Sequence, residues 1–579
     1  MAAAATFDAM NPSTPAHVQA YLPLPKNLPS HRDVIAFYNL RYHSLIASGQ
    51  AHPFLYPWAA VGALLVLTSL LIDYRRSRAR RVGSYVAFAL MSAFQVWTIA
   101  TNRARNPAAA FGVGLVSCFG VLWTAAIMVF NDCQRDFRRV ERRAGVVDGS
   151  GVGEQVGGIA SGVALHGSTM GNGHGHGGDY AIRQRLAAKQ DEEYSTNKGP
   201  RQRRGPLFWQ PYPSGPMIER LDWVADVFCS FRGVGWNWQS SGIPDAPNWV
   251  QRQLRGETHV SETTTSPNEP AIKVSKTGIR RFSYRAALLR SCLLNLALGY
   301  IVLDGVKTLG IHDPYMWYGD MTLPPPPFLP SLIRDSPVLT KSYRLLICLC
   351  AINIALWAIF KMGPVLFVAI LGPRTIGLRG EAWMNPADMF GDFSHVLDSG
   401  LAGWWGAWWH QTFRFAFQAP GDALVDFLRV ERRSVWGRLV STWVAFFLSG
   451  CLHASGSYTQ LGDTYPLSGQ MLFFLMQALG VTVQTGVCFY LESAGVTAWV
   501  PRIVRRVGNL AVVTVWLYFT SPLLVDDFAR GGVWLFEPVP VSLFRGLGFG
   551  PVGEGWWCWY GGLVEWRSGA RWWDTGIAP

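Results

Sequence analysis

The chain has 579 residues, 49% of them hydrophobic and only 15% charged, where soluble globular proteins carry roughly 25% charged residues. Its 26 tryptophans are a residue type that concentrates at membrane–water interfaces. Together these exclude a wholly soluble protein. The net charge of +13 does not point to nucleic acid, because the arginines sit in short loops beside apolar runs, the pattern that sets membrane topology.

Residues 1–52 carry scattered prolines and no sustained apolar period, and read as an irregular leader without a signal peptide. Three candidate spans follow, Leu55–Ile72, Val82–Ala100 and Ala108–Phe130, each near the roughly 20 residues that cross a bilayer. Arginines 75–81 and 135–143 flank them and predict cytosolic loops, with a luminal N-terminus. Residues 131–285 form a cytosolic insertion. Its Gly/Ser/His-rich part, 149–178, is predicted to be disordered, and GNGHGHGG (171–178) reads as linker rather than metal site. Segment 217–247 is different. Leu221, Val224, Val227 and Phe228 have helical spacing and Arg232-Gly-Val-Gly ends the helix. Its tryptophans suit either the membrane surface or a small cap packed on the spans. Residues 256–278 read as polar linker.

Residues 286–525 hold the remaining spans: Ala286–Leu303, an apolar region Tyr343–Leu371 interrupted at Lys361-Met-Gly-Pro364, Trp436–Leu452, Met471–Leu491 and Leu510–Val525. Pro364 predicts a kink or two shorter helices. The tail 526–579 is Trp- and Gly-rich. The expected fold is an all-α polytopic membrane protein of about eight transmembrane helices with a cytosolic insertion. Nine cysteines show no paired spacing, and neither a disulfide framework nor a zinc signature is present.

Two imidazoles stand out. His453 closes the apolar run Trp443–Leu452, and His410 lies in Trp408-Trp409-His410-Gln411, followed by Arg414. A histidine at or in a bilayer is costly and usually has a job or a partner. His453 is either a general base in a membrane-embedded cavity or a structural group bonded to a neighbouring helix. Polar residues on a transport path are the alternative from another class, but transporters often show repeats and the two halves of this chain do not match in spacing or residues.

Three stretches carry a resemblance. Glu381-Ala-Trp-Met-Asn-Pro-Ala-Asp-Met-Phe-Gly with GLAGWWGAWWHQTFR (400–414) is similar to the E-W-P-P-L-F-G … F-W-G-R-x-W-H-Q signature of wax-synthase-like membrane-bound O-acyltransferases. Phe446-Phe-Leu-Ser-Gly-Cys-Leu-His453 resembles that family's F-x-x-S-G-x-x-H motif. Arg232-Gly-Val-Gly-Trp-Asn-Trp resembles the R-G-I-G-x-x-W motif of its fungal branch. The motifs occur in family order over residues 220–456.

The resemblance implies an acyltransferase of the endoplasmic reticulum membrane. It would move an acetyl or fatty acyl group from acyl-CoA, a co-substrate rather than a bound cofactor, to the hydroxyl of a lipophilic alcohol such as a terpenoid or a long-chain alcohol. It implies His453 as base and His410 at the inner end of the same tunnel. Gln411 is then a candidate donor ligand, Ser449 orients the imidazole or bonds its own helix, and Gly450 allows close approach. Arg414, with Arg429, Arg432 and Arg433, lies in the loop expected to meet the phosphates of CoA, since guanidinium suits phosphate. Trp409 and its neighbours read as an interfacial aromatic helix or as tunnel lining. Asp392 and Asp463 read as solvated loop carboxylates. The expected partners are acyl-CoA, the alcohol and membrane lipid.

Overall fold

A computed structural model of the chain describes residues 28–143, 205–257, 271–559 and 564–579. The Gly/Ser/His-rich stretch and much of the polar linker lie outside the described residues. The chain divides into two compact units, one of them made of residues 140–209 and 247–269. In this smaller unit the Leu207 N–H donates to Gln253 Oε1 at 3.2 Å and Arg143 lies over the Phe208 ring. The larger unit carries all the apolar helices and is described below.

Its first element corrects the expected irregular leader. Helix α1 (His31–Ala47) starts at Ser30, whose hydroxyl accepts from the Asp33 N–H while the Asp33 carboxylate accepts from the Ser30 N–H, a reciprocal cap that satisfies two free backbone donors. The stripe it buries is His31, Val34, Tyr38 and Tyr42. That stripe has helical spacing but is made of His and Tyr, so no apolar period marks it. Tyr38 donates to the Arg530 carbonyl at 2.6 Å, and Glu554 accepts from Arg32 and Arg545. These bonds tie the start of the described chain to its last 50 or so residues. There, strands Glu565–Arg567 and Gly576–Ala578 pair antiparallel.

Among the described residues seven helices are long and apolar enough to cross a membrane. They include α3 (Arg78–Thr101), α4 (Pro107–Met128), α6 (Arg285–Gly310), α7 (Pro337–Pro364), α10 (Val435–Tyr458), α11 (Leu472–Ser493) and α12 (Arg502–Thr520). An eighth apolar helix, α2 (Val61–Leu71), has a 3-10 turn before it and is shorter than expected: backbone at Ile72 is already extended, leaving it under the length a bilayer needs. Helix α4 shows how the sequence sets a boundary. Asn106 accepts from the Ala108 and Ala109 N–H groups and Pro107 takes the first helical position, where a missing N–H costs nothing.

Helices α4 and α10 pack closely. A Cβ on Gly114 would lie 1.8 Å from the Ser455 carbonyl oxygen, and one on Gly456 would lie 2.6 Å from Phe111. The approach is sealed by Thr459, whose hydroxyl donates to the Ala110 carbonyl at 2.7 Å and accepts from the Gly114 N–H at 3.0 Å. Helix α5 (Met217–Cys229) buries Trp223, Val224 and Val227 in one cluster with Val66, Leu70, Trp123 and Trp236. Of the two readings of segment 217–247, the packed cap is therefore the one realised at these tryptophans.

Residues 272–282, read partly as linker, form a hairpin of β1 (Ile272–Val274) and β2 (Arg280–Phe282). It feeds an ion cluster around Asp388. Arg280 donates to both carboxylate oxygens, at 2.7 and 2.9 Å, and Lys361 adds a third bond at 2.8 Å. Lys361, on α7, is fully buried. Immediately beyond it the helix widens into a π turn, Val365–Leu371, starting at Pro364. Arg232 donates to the carbonyls of Asp388 (2.8 Å) and Pro386 (2.5 Å). The chain gets there through Gly233 and Gly235, both at positive φ, where Cβ atoms would also strike Trp238 and Met384. Burial alone would raise the Asp388 pKa, but Arg280 and Lys361 outweigh it and hold the carboxyl below its usual range.

Two substitutions test this arrangement. Gly114→Val forces α4 from α10 and is expected to destabilise by about 2–3 kcal/mol, seen as a lower unfolding temperature in detergent; an unchanged temperature would mean the two helices are not in contact. Asp388→Asn leaves Arg280 and buried Lys361 without their counter-charge. It is expected to cost about 3–5 kcal/mol and most of the folded yield, whereas a wild-type yield would remove the cluster from the account.

Candidate active site

His453 sits on α10 one turn after Ser449, and its Nδ1 lies 2.9 Å from the Ser449 carbonyl oxygen. A carbonyl only accepts, so Nδ1 carries the proton and Nε2 holds a free lone pair. Nε2 has no hydrogen-bond partner among the described residues. Ser449 thus acts through its backbone carbonyl, which explains why the imidazole keeps one orientation. Gly450, three residues before His453 and so on the same side of the helix, is buried: a Cβ there would lie 2.5 Å from Met471 Sδ and 3.4 Å from the Met471 backbone. Its absence of a side chain lets the π turn Pro466–Met471 press against α10.

The wall around His453 is aromatic. Phe474 on α11 stands 4.4 Å away between ring centroids, and Phe111 on α4 stands 6.4 Å away. Phe474 also meets Trp405, which packs edge-on against Phe446 of α10 and Phe473. Trp405 belongs to a π turn, Trp404–Trp408, that continues α8 (Ser394–Gly403). The turn closes on the Trp409 N–H, which donates to the Trp404 carbonyl at 2.7 Å. Trp409 packs on Trp404, Trp405 and Phe390 and lies 5.4 Å from His410. These tryptophans are packed on one another and on the spans, with Trp404 buried.

His410 is brought to the same place. Its ring has Trp409 on one side and Phe413 on the other, and its Nδ1 is buried without a hydrogen-bond partner. Burial, then the neighbouring His453 ring, push its pKa down to about 3, so this imidazole is neutral at physiological pH. Both histidines are partly buried and keep some accessible surface.

Gln411 donates its amide to the carbonyls of Trp405 (3.0 Å) and Trp409 (2.7 Å) and accepts from Arg414 at 3.1 Å. It frames the loop that presents His410, and Arg414, half-buried at the start of α9 (Arg414–Phe427), extends that frame. Arg432 is committed to Asp422 and Asp426, while Arg429 and Arg433 are exposed. Asp463 is exposed and paired with Arg41, and the exposed Asp392 accepts from the Ser394 N–H; neither faces the histidines. No group of three or more metal-ligating side chains occurs among the described residues.

Several contributors escape sequence reasoning. Phe111 and Phe474 are ordinary members of apolar runs, and nothing local marks them. Lys361 did carry a signal, since a lysine in an apolar run needs a partner, but sequence does not say that the partner is Asp388.

The model of the membrane bound O-acyl transferase family matches residues 386–476, the interval from the Asp388 cluster through both histidines to Phe474. Acetyltransferase eriL of Hericium erinaceus is 27% identical over 50% of this chain and 68% of its own length. O-Mevalon transferase yanI of Aspergillus niger is 26% identical over 53% and 61%. Acetyltransferase ple2 of Rhodocybe pseudopiperita is 27% identical over 57% and 73%. The chain thus spans about two thirds of the length of these relatives, and somewhat less of yanI. No solved structure matches it. Over residues 386–476 the chain is thus similar to the membrane bound O-acyl transferase family, and over about half its length to these fungal transferases.

Proposed function

We propose that the protein transfers an acyl group, acetyl first among the candidates, from acyl-CoA to the hydroxyl of a lipophilic alcohol, with His453 as the general base. The observation that carries this is the His453 Nδ1 bond to the Ser449 carbonyl, which leaves Nε2 with a free lone pair on a ring packed against Phe111 and Phe474. In the reaction Nε2 takes the hydroxyl proton as the alcohol oxygen bonds to the thioester carbonyl carbon. The carbonyl oxygen becomes an oxyanion, and His410 holds it or the donor in this reading, which its unpartnered ring nitrogen supports. Collapse breaks the carbon–sulfur bond, and the thiolate recovers the proton from Nε2–H. The products are an ester and free CoA thiol.

Acetyl is favoured over longer chains by the relatives, several of which are named acetyltransferases. A terpenoid or related secondary metabolite is the acceptor class that the fungal motif at Arg232 suggests. The aromatic wall excludes water, which protects the thioester from hydrolysis. By this reading the arginine-rich loops face the cytosol, from which CoA enters, and the bilayer supplies the alcohol. A multi-pass protein of the endoplasmic reticulum membrane fits both supplies.

The test is release of CoA thiol by purified protein given acetyl-CoA or palmitoyl-CoA with a panel of terpenoid and fatty alcohols. Acceptor-dependent release is expected, reduced at least about 100-fold by His453→Ala and by roughly 100-fold by His410→Ala, with both variants remaining folded in the membrane. Wild-type rates from folded His453→Ala would eliminate the base.

A further inference from the structure

Four arginines are buried among the described residues: Arg139, Arg281, Arg344 and Arg545. Three have carboxylate partners, Arg139 with Asp222 and Asp226, Arg344 with Asp313, and Arg545 with Glu537 and Glu554. Arg281, 1% exposed, makes no such contact pair, and Asp245 acts on it only through its charge. Its Nη2 donates to Gln239 Oε1 at 2.8 Å, and its Nε and Nη1 are buried without a partner. Buried donors are almost always bonded, and a buried cation is costly without a counter-charge. Burial pushes its pKa down to about 9, so it is still cationic at neutral pH.

A second unsatisfied group is the chain neighbour of Gln239, the one hydrogen-bond partner of the Arg281 side chain among the described residues. The Ser240 hydroxyl, next to the Gln239 that anchors Arg281, is also buried and unpartnered. The segment then passes Gly242, where a Cβ would come within 4.0 Å of Ser240 Oγ and 3.9 Å of Gln411 Cγ. Gln411 is flanked by His410 and Thr412, whose Nδ1 and Oγ1 are unpartnered in the same way. Unsatisfied buried polar atoms therefore run from Arg281 through Ser240 to the loop that presents His410, with the cation at one end and the imidazole at the other. The thioester donor has the matching order, anionic phosphates at one end and an acyl carbonyl at the other.

We propose that Arg281 and Ser240 bind a phosphate oxygen of the acyl-CoA donor. The assignment rests on the acyl-CoA reading given above. Guanidinium N–H groups and a hydroxyl suit phosphate, and Arg281 takes the role that the surface arginines of the following loop do not fill.

The experiment compares acetyl-CoA with S-acetylpantetheine, which has the same thioester arm and no phosphate. In Arg281→Met the KM for acetyl-CoA is expected to rise on the order of tenfold, while that for S-acetylpantetheine stays within about twofold. Ser240→Ala is expected to show a smaller, equally donor-specific rise and serves where Arg281→Met fails to fold. A second readout needs no turnover. Desulfo-CoA is expected to raise the unfolding temperature of the wild type more than pantetheine does, and each variant is expected to lose that difference. Equal weakening of both donors, or an unchanged KM for acetyl-CoA, would overturn the assignment. Wild-type protein that protects itself with desulfo-CoA but releases no thiol would overturn the transferase reading and leave the phosphate site standing.

Discussion

The ion cluster at Asp388 is the constraint on which the site depends. A carboxylate taken out of water is costly, and only well-placed partners offset the cost. Here Lys361 comes from inside a membrane-length helix, Arg280 from a hairpin, and Arg232 grips the backbone of residues 386 and 388 from a third segment. Such a cluster contributes modestly to net stability, because desolvation cancels much of the attraction, but losing one partner is expensive. Its effect is to fix residues 386–388 in one place. From there the chain runs directly to Gly391, whose N–H donates to the Trp408 carbonyl, and to Asp392, whose N–H donates to the Thr277 carbonyl. Trp408 is two residues from His410. The position of one imidazole is thus inherited from an ion cluster that has no part in the chemistry.

The other imidazole is positioned by different means. His453 needs only its own helix, because the carbonyl one turn back sets both its rotation and its tautomer. What the tertiary structure adds is the environment. Gly114 and Gly456 let α4 approach until Phe111 reaches the ring, and Gly450 lets the turn before α11 approach on another side. Small residues on helices that must pack closely in lipid serve this purpose widely. The result is an imidazole set among aromatic side chains, Phe111 and Phe474, in a part of the fold that also holds His410.

Much of this was legible in the sequence, in proportion to how local the signal was. The spans from Val82 onward are long and apolar, and each is close to a helix of the structure. His453, His410 and the glycine-rich Arg232 motif stood out because a polar or left-handed residue in such surroundings needs a reason. Helix α1 was missed because its buried stripe is two tyrosines, a histidine and one valine, which reads as polar. The hairpin at 272–282 was missed because its strands are three residues each, too short for any period to show. The ion cluster was out of reach for another reason. Lys361 and Asp388 were visible separately, but pairing them requires the fold. Gln411 shows a contact that sequence does not give: its amide donates to the Trp405 and Trp409 carbonyls of its own loop.

The most direct measurement is a structure of the protein with a thioether analogue of acetyl-CoA that keeps the carbonyl but cannot transfer it. The expected result is a carbonyl carbon between the two imidazoles, with His453 Nε2 within about 4 Å of the site an attacking hydroxyl would occupy. A carbonyl bound away from His453, or a ring turned so that Nε2 faces its own helix, would contradict the account.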